Sequence, residues 1–227
     1  MFARTPAGER PDRPFTGYKL ARAVLSADGT RAGFAGLTLG ADQVYGAVDD
    51  AACVWNTRHA PPRKWCGCGF YCLHALADAQ ALGCATEHRS ALLVEVRASG
   101  RYIRYERGLR YSRQRVRAIR ESHCECGRAG TMLADAGTGV IGWRHLAPVC
   151  GHCAAGRAPI LTLAEFAART GGSIKVADSA DPGSPIRSSL DERPLPEGAG
   201  ESPIAVLSAE IALLHARLDD IQARLDG

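Results

Sequence analysis

The sequence predicts an α+β protein with a small β-rich body and a C-terminal coiled-coil helix. Three observations carry this. Apolar residues alternate in several short stretches divided by Gly-containing turns. The tetrad Cys-x-Cys-Gly occurs twice, at Cys66–Gly69 and Cys124–Gly127. A heptad seam closes the chain.

Residues 1–15 carry Pro, Gly and charge and predict a disordered N-terminus. A β-rich domain is expected over 16–120. Within it, 18–25 and 31–39 flank Asp28-Gly29, a hairpin turn with Gly29 at positive φ. Residues 40–58 predict irregular chain. Residues 73–82 are rich in Ala and Leu and predict a short helix stopped by Gly83. Residues 91–98 alternate as a half-buried strand, and 101–120 hold one or two more.

Residues 121–177 predict a second module. Its Gly-rich stretch 127–149 suits a ribbon hairpin. A small helix follows, with Thr162 as N-cap, Glu165 completing a capping box and Gly171 as the stop. Residues 178–202 are dense in Pro, Gly, Ser and charge and predict a flexible linker. The helix over 203–226 starts with Ser202 as N-cap and Pro203 in its first turn. Ile204, Leu207, Ile211, Leu214, Leu218, Ile221 and Leu225 recur at 3,4 spacing, an a/d seam of about three heptads. Homo-oligomerisation through this seam is the expectation. Packing on the body and capture of another partner's groove are the alternatives.

Composition bounds the function classes. No apolar run approaches the roughly 18 residues a spanning helix needs, and the N-terminus lacks the apolar core of a secretory signal. A cytoplasmic, non-membrane protein is expected. There, nine cysteines must stay reduced, and short Cys spacings point to metal rather than disulfides.

Cys124 and Cys126, followed after 23 residues by Cys150 and Cys153, form two tight turns at the ends of a Gly-rich hairpin. Four thiolates so arranged suit tetrahedral structural zinc, with an iron–sulfur cluster as the alternative. His123, His145 and His152 are spare donors. For the first copy, Cys66 and Cys68 need partners. Cys53 and His59 lie upstream in a Pro-flanked stretch, and Cys72 and His74 lie downstream. Cys53, His59, Cys66 and Cys68 are the expected Cys₃His set, giving two zinc ions per chain. Cys72 is read as core-facing and Cys84 as a small buried residue.

No HExxH occurs, and no His-x-Glu precedes a Pro-Cys-x-x-Cys. Cys72 with His74, or Cys84 with His88, is the only nucleophile–base pairing suggested, and nearness in sequence is poor support. No small-molecule substrate is legible, and an enzyme with a cryptic site within 40–90 is the least favoured reading.

The stretch "HAPPRKWCGCGFYCLHAL", with Cys53, His59, Pro62 and "LLVEVRASGRYIRYERGLRY", resembles an uncharacterised domain of actinobacterial and actinophage proteins. "GYKLARAV" and "LGADQVYG" fit its layout, and the resemblance covers about 16–120. It implies Cys53 and His59 as ligands and implies no substrate.

Charge is uneven. Residues 178–227 carry ten acids and four bases, a net of −6, which leaves +10 on residues 1–177. Residues 94–121 hold nine Arg against three Glu. Arg101, Arg104, Arg107, Arg110 and Arg113 recur every third residue, with Tyr102, Tyr105 and Tyr111 between them. Arg forks onto phosphates and Tyr stacks on bases, so DNA or RNA is the expected partner. The function predicted is a non-enzymatic zinc protein, nucleic-acid-binding or regulatory. The alternative is a protein–protein adaptor. An Arg-rich solvated strand face is the bland explanation of the strip.

Overall fold

The structure, a computed structural model, describes residues 13–37, 43–55, 58–157 and 160–177. The expected linker and heptad helix lie outside these residues, as does the chain before residue 13. Strand accounts for 50% of the described residues, and helices are few. No helix among them is long and apolar enough to cross a membrane.

Strand β1 (Phe15–Ser26) organises the fold. Its first half pairs antiparallel with β6 (Leu92–Arg104), from Phe15↔Ala98 to Ala21↔Leu92. Its second half pairs with β2 (Ala32–Ala35) on one side and β9 (Trp143–Val149) on the other. Ala23 thereby faces both Phe34 and Leu146. Small residues permit this crowding, because Ala21 and Ala23 are fully buried. The 121–177 segment is thus continuous, through β9, with the strand that opens the fold.

The Asp28-Gly29 turn joins β1 to β2, with Gly29 at φ 74°. The Asp28 carboxylate accepts from Ser26 Oγ at 2.5 Å and from Thr30 N–H at 3.1 Å. These bonds, the Ser26 hydroxyl first, lower its pKa to about 2.

Strand β7 (Gly108–Ser122) pairs along most of its length with β6 and carries β5 (Phe70–Leu73) and β4 (Val48–Asp50). β3 (Val44–Tyr45) lies on β2, so part of the expected irregular stretch 40–58 is strand, because Tyr45 buries its ring against Phe34 and Phe70. Helix α1 spans Leu76–Gly83, later than expected. Leu73 belongs to β5 instead, since Cys72 between Tyr71 and Leu73 is drawn into the core. Cys84, expected to be buried, caps α1 at the surface and is exposed.

β8 (Met132–Val140) and β9 form the Gly-rich hairpin, turned at Gly142. β9 runs into the short α2 (Gly151–Ala154), and β10 (Ile160–Thr162) lies on β8. Helix α3 spans Leu163–Arg169 with the predicted capping box. Thr162 Oγ1 accepts from Glu165 N–H at 3.1 Å, and Glu165 accepts from Thr162 N–H at 2.8 Å. Phe166 of α3 meets Phe34 edge-on at 5.4 Å between ring centroids, sealing the main core. β11 (Lys175–Val176) adds parallel to β7.

Candidate metal centres

The first centre sits on the loop between β4 and β5. Cys53 follows β4, and Cys66 follows a tight turn in which its N–H donates to Arg63 O at 3.1 Å. Cys53 Sγ lies 3.6 Å from Cys66 Sγ, and His59 Nε2 lies 3.3 Å from Cys68 Sγ. The four donor atoms all lie within 4.8 Å of one another, so this group could hold a metal ion. His59 presents Nε2 to the cluster, while its buried Nδ1 has no hydrogen-bond partner among the described residues.

Arg110, on β7, supports this loop from beneath. Arg110 is 3% exposed, and its guanidinium donates to the carbonyls of Cys66 and, at 2.9 Å, of Arg63. The Tyr71 and Tyr105 rings flank it at 5.8 and 5.9 Å. Gly69, at φ 118°, leaves room for it: a Cβ there would stand 3.0 Å from Arg110 Cγ.

The second centre lies between the end of β7 and α2. Cys124 N–H donates to Arg128 O and Gly127 N–H to Cys124 O, each at 2.8 Å, closing one knuckle with Gly127 at φ 85°. Cys150 follows β9 as the N-cap of α2, and Ala154 N–H donates to its carbonyl at 3.0 Å, closing the other. Cys126 Sγ and Cys150 Sγ are 3.6 Å apart. All four sulfurs again lie within 4.8 Å of one another, so this group too could hold an ion. Cys124 and Cys150 pack with Ala134, Val149 and Ala154 in a small core of their own.

Zinc–sulfur bonds of about 2.3 Å, set tetrahedrally, place sulfurs about 3.8 Å apart. The 3.6 Å separations match that edge. They far exceed the roughly 2.0 Å of a disulfide, and no disulfide joins any of the nine cysteines. The donor sets therefore fit a tetrahedral thiophilic ion. Electrostatics agrees. Burial, then the neighbouring sulfurs, push Cys68 up to about 12. The neighbouring sulfurs push Cys153 up to about 12, while the N–H of Cys153 pulls Cys150 down to about 6. Four thiols this close shed their protons as a coupled set, and a cation is what lets the last ones leave.

Neither four-donor group includes a spare donor. His74 Nε2 faces Tyr105 O at 3.3 Å, and His145 Nδ1 faces Thr138 Oγ1 at 3.1 Å. Cys72 is buried in the main core. Burial pushes its thiol up to about 11, which suits a packing residue and not a nucleophile.

The arginine strip does not form one face. Tyr111 is fully buried and Arg110 nearly so, which removes both from the expected nucleic-acid contacts. A period of three cannot follow a strand that alternates every second residue. Arg107 pairs with Asp78 at 2.6 Å and Arg113 with Asp50 at 2.9 Å. Tyr102 packs edge-on against Phe15 at 5.2 Å, with Arg104 over the same ring at 5.3 Å. Arg101 donates its backbone N–H to Ser112 Oγ, and Tyr105 is 41% exposed.

The register exposes a pair that the period of three overlooked. Arg97 of β6 stands directly opposite Arg115 of β7, both exposed, in a row flanked by Thr16 and Val48. Among the described residues neither has an ion pair. Like charges facing directly across strands are unfavourable. The alternation Arg113, Arg115, Arg117 was the available signal. No protein-family model, curated protein or solved structure matches this chain.

Proposed function

We propose that this is a non-enzymatic zinc-binding protein that uses two structural ions to hold a basic β surface against nucleic acid. The observation that carries the reading is the pair of four-donor clusters, Cys53/His59/Cys66/Cys68 and Cys124/Cys126/Cys150/Cys153. Four protein donors complete a tetrahedron and leave no coordination position for a substrate or water, unlike a catalytic zinc. Both clusters tie loops to strands, as structural sites do. Zinc bound at such a site supplies on the order of 10 kcal/mol of apparent stabilisation.

The basic surface is centred on Arg97 and Arg115, whose mutual repulsion an anion would relieve. Phosphate oxygens are the matching chemistry, since a guanidinium forks onto them. The heptad helix would bring copies together and multiply this contact. Elemental analysis of the purified chain should give close to two zincs; a chain that folds without metal ends this reading. Electrophoretic retention of nucleic acid should weaken steeply between low and moderate salt. A chain truncated at Gly198 should run as a monomer where the full chain runs as an oligomer.

A further inference from the structure

The loop that carries the first metal centre presents aromatic surface that no core claims. Trp65 is 86% exposed and Trp55 62% exposed. An indole normally buries most of its area, so two on one loop are unusual. Trp65 immediately precedes the ligand Cys66, and Trp55 lies two residues beyond the ligand Cys53. Those two sulfurs are 3.6 Å apart, so one metal clip carries both rings. Tyr71 and Tyr105 border the loop, 46% and 41% exposed, braced on either side of Arg110.

The charge of this surface is one-sided. Residues 51–77 contain Arg58, Arg63 and Lys64 and no Asp or Glu. A Cys₃His zinc centre contributes one net negative charge, which leaves the loop positive. Lys64 Nζ lies 5.2 Å from the Trp65 ring centroid. Flat rings on a rigid support, with cations beside them, meet the two needs of an unpaired nucleotide: a face on which its base can stack and a partner for its phosphate.

We infer that this loop is a stacking platform for single-stranded nucleic acid, with Trp65 and Trp55 receiving bases and Arg63 and Lys64 the backbone. This rests on the nucleic-acid reading above and narrows it to single strands. The metal's part is pre-organisation: a loop clipped at Cys53 and Cys66 loses little backbone freedom when a base arrives. A duplex, with its bases stacked internally, offers these rings nothing but its ends.

Intrinsic fluorescence tests this directly, because stacking on a base quenches indole emission. The zinc-loaded full chain carrying Trp143→Phe, so that only Trp55 and Trp65 emit, is titrated with a twelve-residue oligothymidylate and with a duplex of equal length. Strong quenching by the single strand and little by the duplex is expected. Trp65→Ala, with its zinc content checked, should weaken single-strand binding about 5- to 150-fold, the worth of one stacked base, and Trp65→Phe should recover most of it.

Duplex binding with a steep salt dependence and no quenching by the single strand overturns the platform and leaves the basic-surface reading intact. Failure of both nucleic acids to bind overturns both. A blue shift on neutral phosphatidylcholine vesicles, without quenching by the oligonucleotide, makes the loop a lipid-facing surface and also overturns the platform. Should Trp65→Ala shed its metal, quenching of the unsubstituted Trp65 still decides the question.

Discussion

The guanidinium of Arg110 donates to the carbonyl of Cys66, so a β7 side chain positions the backbone of a candidate metal ligand. Groups of this kind, one step removed from the ion, commonly contribute 10- to 100-fold in metal affinity. Arg110→Ala should weaken the first centre by about that factor and leave the second unchanged. Chelator competition followed by mass spectrometry reads the two sites separately. Arg110→Lys should rescue little, because an ammonium cannot fork across the Cys66 and Arg63 carbonyls. Unchanged affinity in Arg110→Ala would mean that the loop holds itself.

Cys126→Ser removes the one exposed ligand of the second centre. Loss of one zinc per chain is expected, with rapid hydrogen exchange over 123–130 and 150–157, where the knuckle bonds lie. Cys124 and Cys150 would be left in a small core of Ala134, Val149 and Ala154 with little else to hold it. A variant as protected as the parent would show that this knuckle pair folds without its ion.

Cys72 gives a pH signature. Burial raises its pKa from 9.0 to about 11, so the folded state prefers the neutral thiol. Its contribution to stability is fully present below pH 9 and is lost as pH rises to about 11. Tyr111, fully buried and likewise raised by burial, acts in the same direction. The urea midpoint should fall across this window, and fall less steeply in Cys72→Ala. Parallel slopes would assign the alkaline loss to other groups.

Gly17→Ala should destabilise by about 1–3 kcal/mol, the usual cost of overpacking. A Cβ at Gly17 would collide with Cys72 Sγ, which fills the space over β1. Cys72→Ala removes that sulfur, so the double substitution should recover part of the loss. Additive effects in a double-mutant cycle would rule out the contact.

Arg97→Glu should move two properties in opposite directions. It converts a repulsive cross-strand pair with Arg115 into an attractive one, worth about 0.2–1 kcal/mol of stability. It should also lower nucleic-acid affinity and reduce the salt slope by about one unit or more. Denaturant midpoints and retention at two salt concentrations check both. Greater stability with unchanged retention would clear Arg97 of any role in binding.

Local chemistry was legible in the sequence, and long-range pairing was not. The α3 capping box needs only Thr162 and Glu165, and the β1–β2 turn only Asp28 and Gly29, so composition and spacing sufficed. The two ligand groupings follow from tight turns and from short loops that limit where a thiol can reach. Arg110 and Tyr111 were misjudged because their burial depends on the metal loop and β5 folding over β7, which no local pattern records. The Arg97–Arg115 pair was hidden for the same reason: it exists only through the register of β6 on β7. β3 and β4 were missed because two- and three-residue strands are too short to show a period.

Ala23 and Leu146 are partners across β1 and β9, although 123 positions (146 − 23) separate them. During synthesis the ribosome therefore releases the opening strand long before the chain that completes one of its edges exists. Until β9 emerges, that border of β1 lacks its partner, so shielding the nascent segment should reduce wrong pairings. Expression at reduced temperature, or with abundant holdase chaperones, should raise the soluble yield more than added zinc alone.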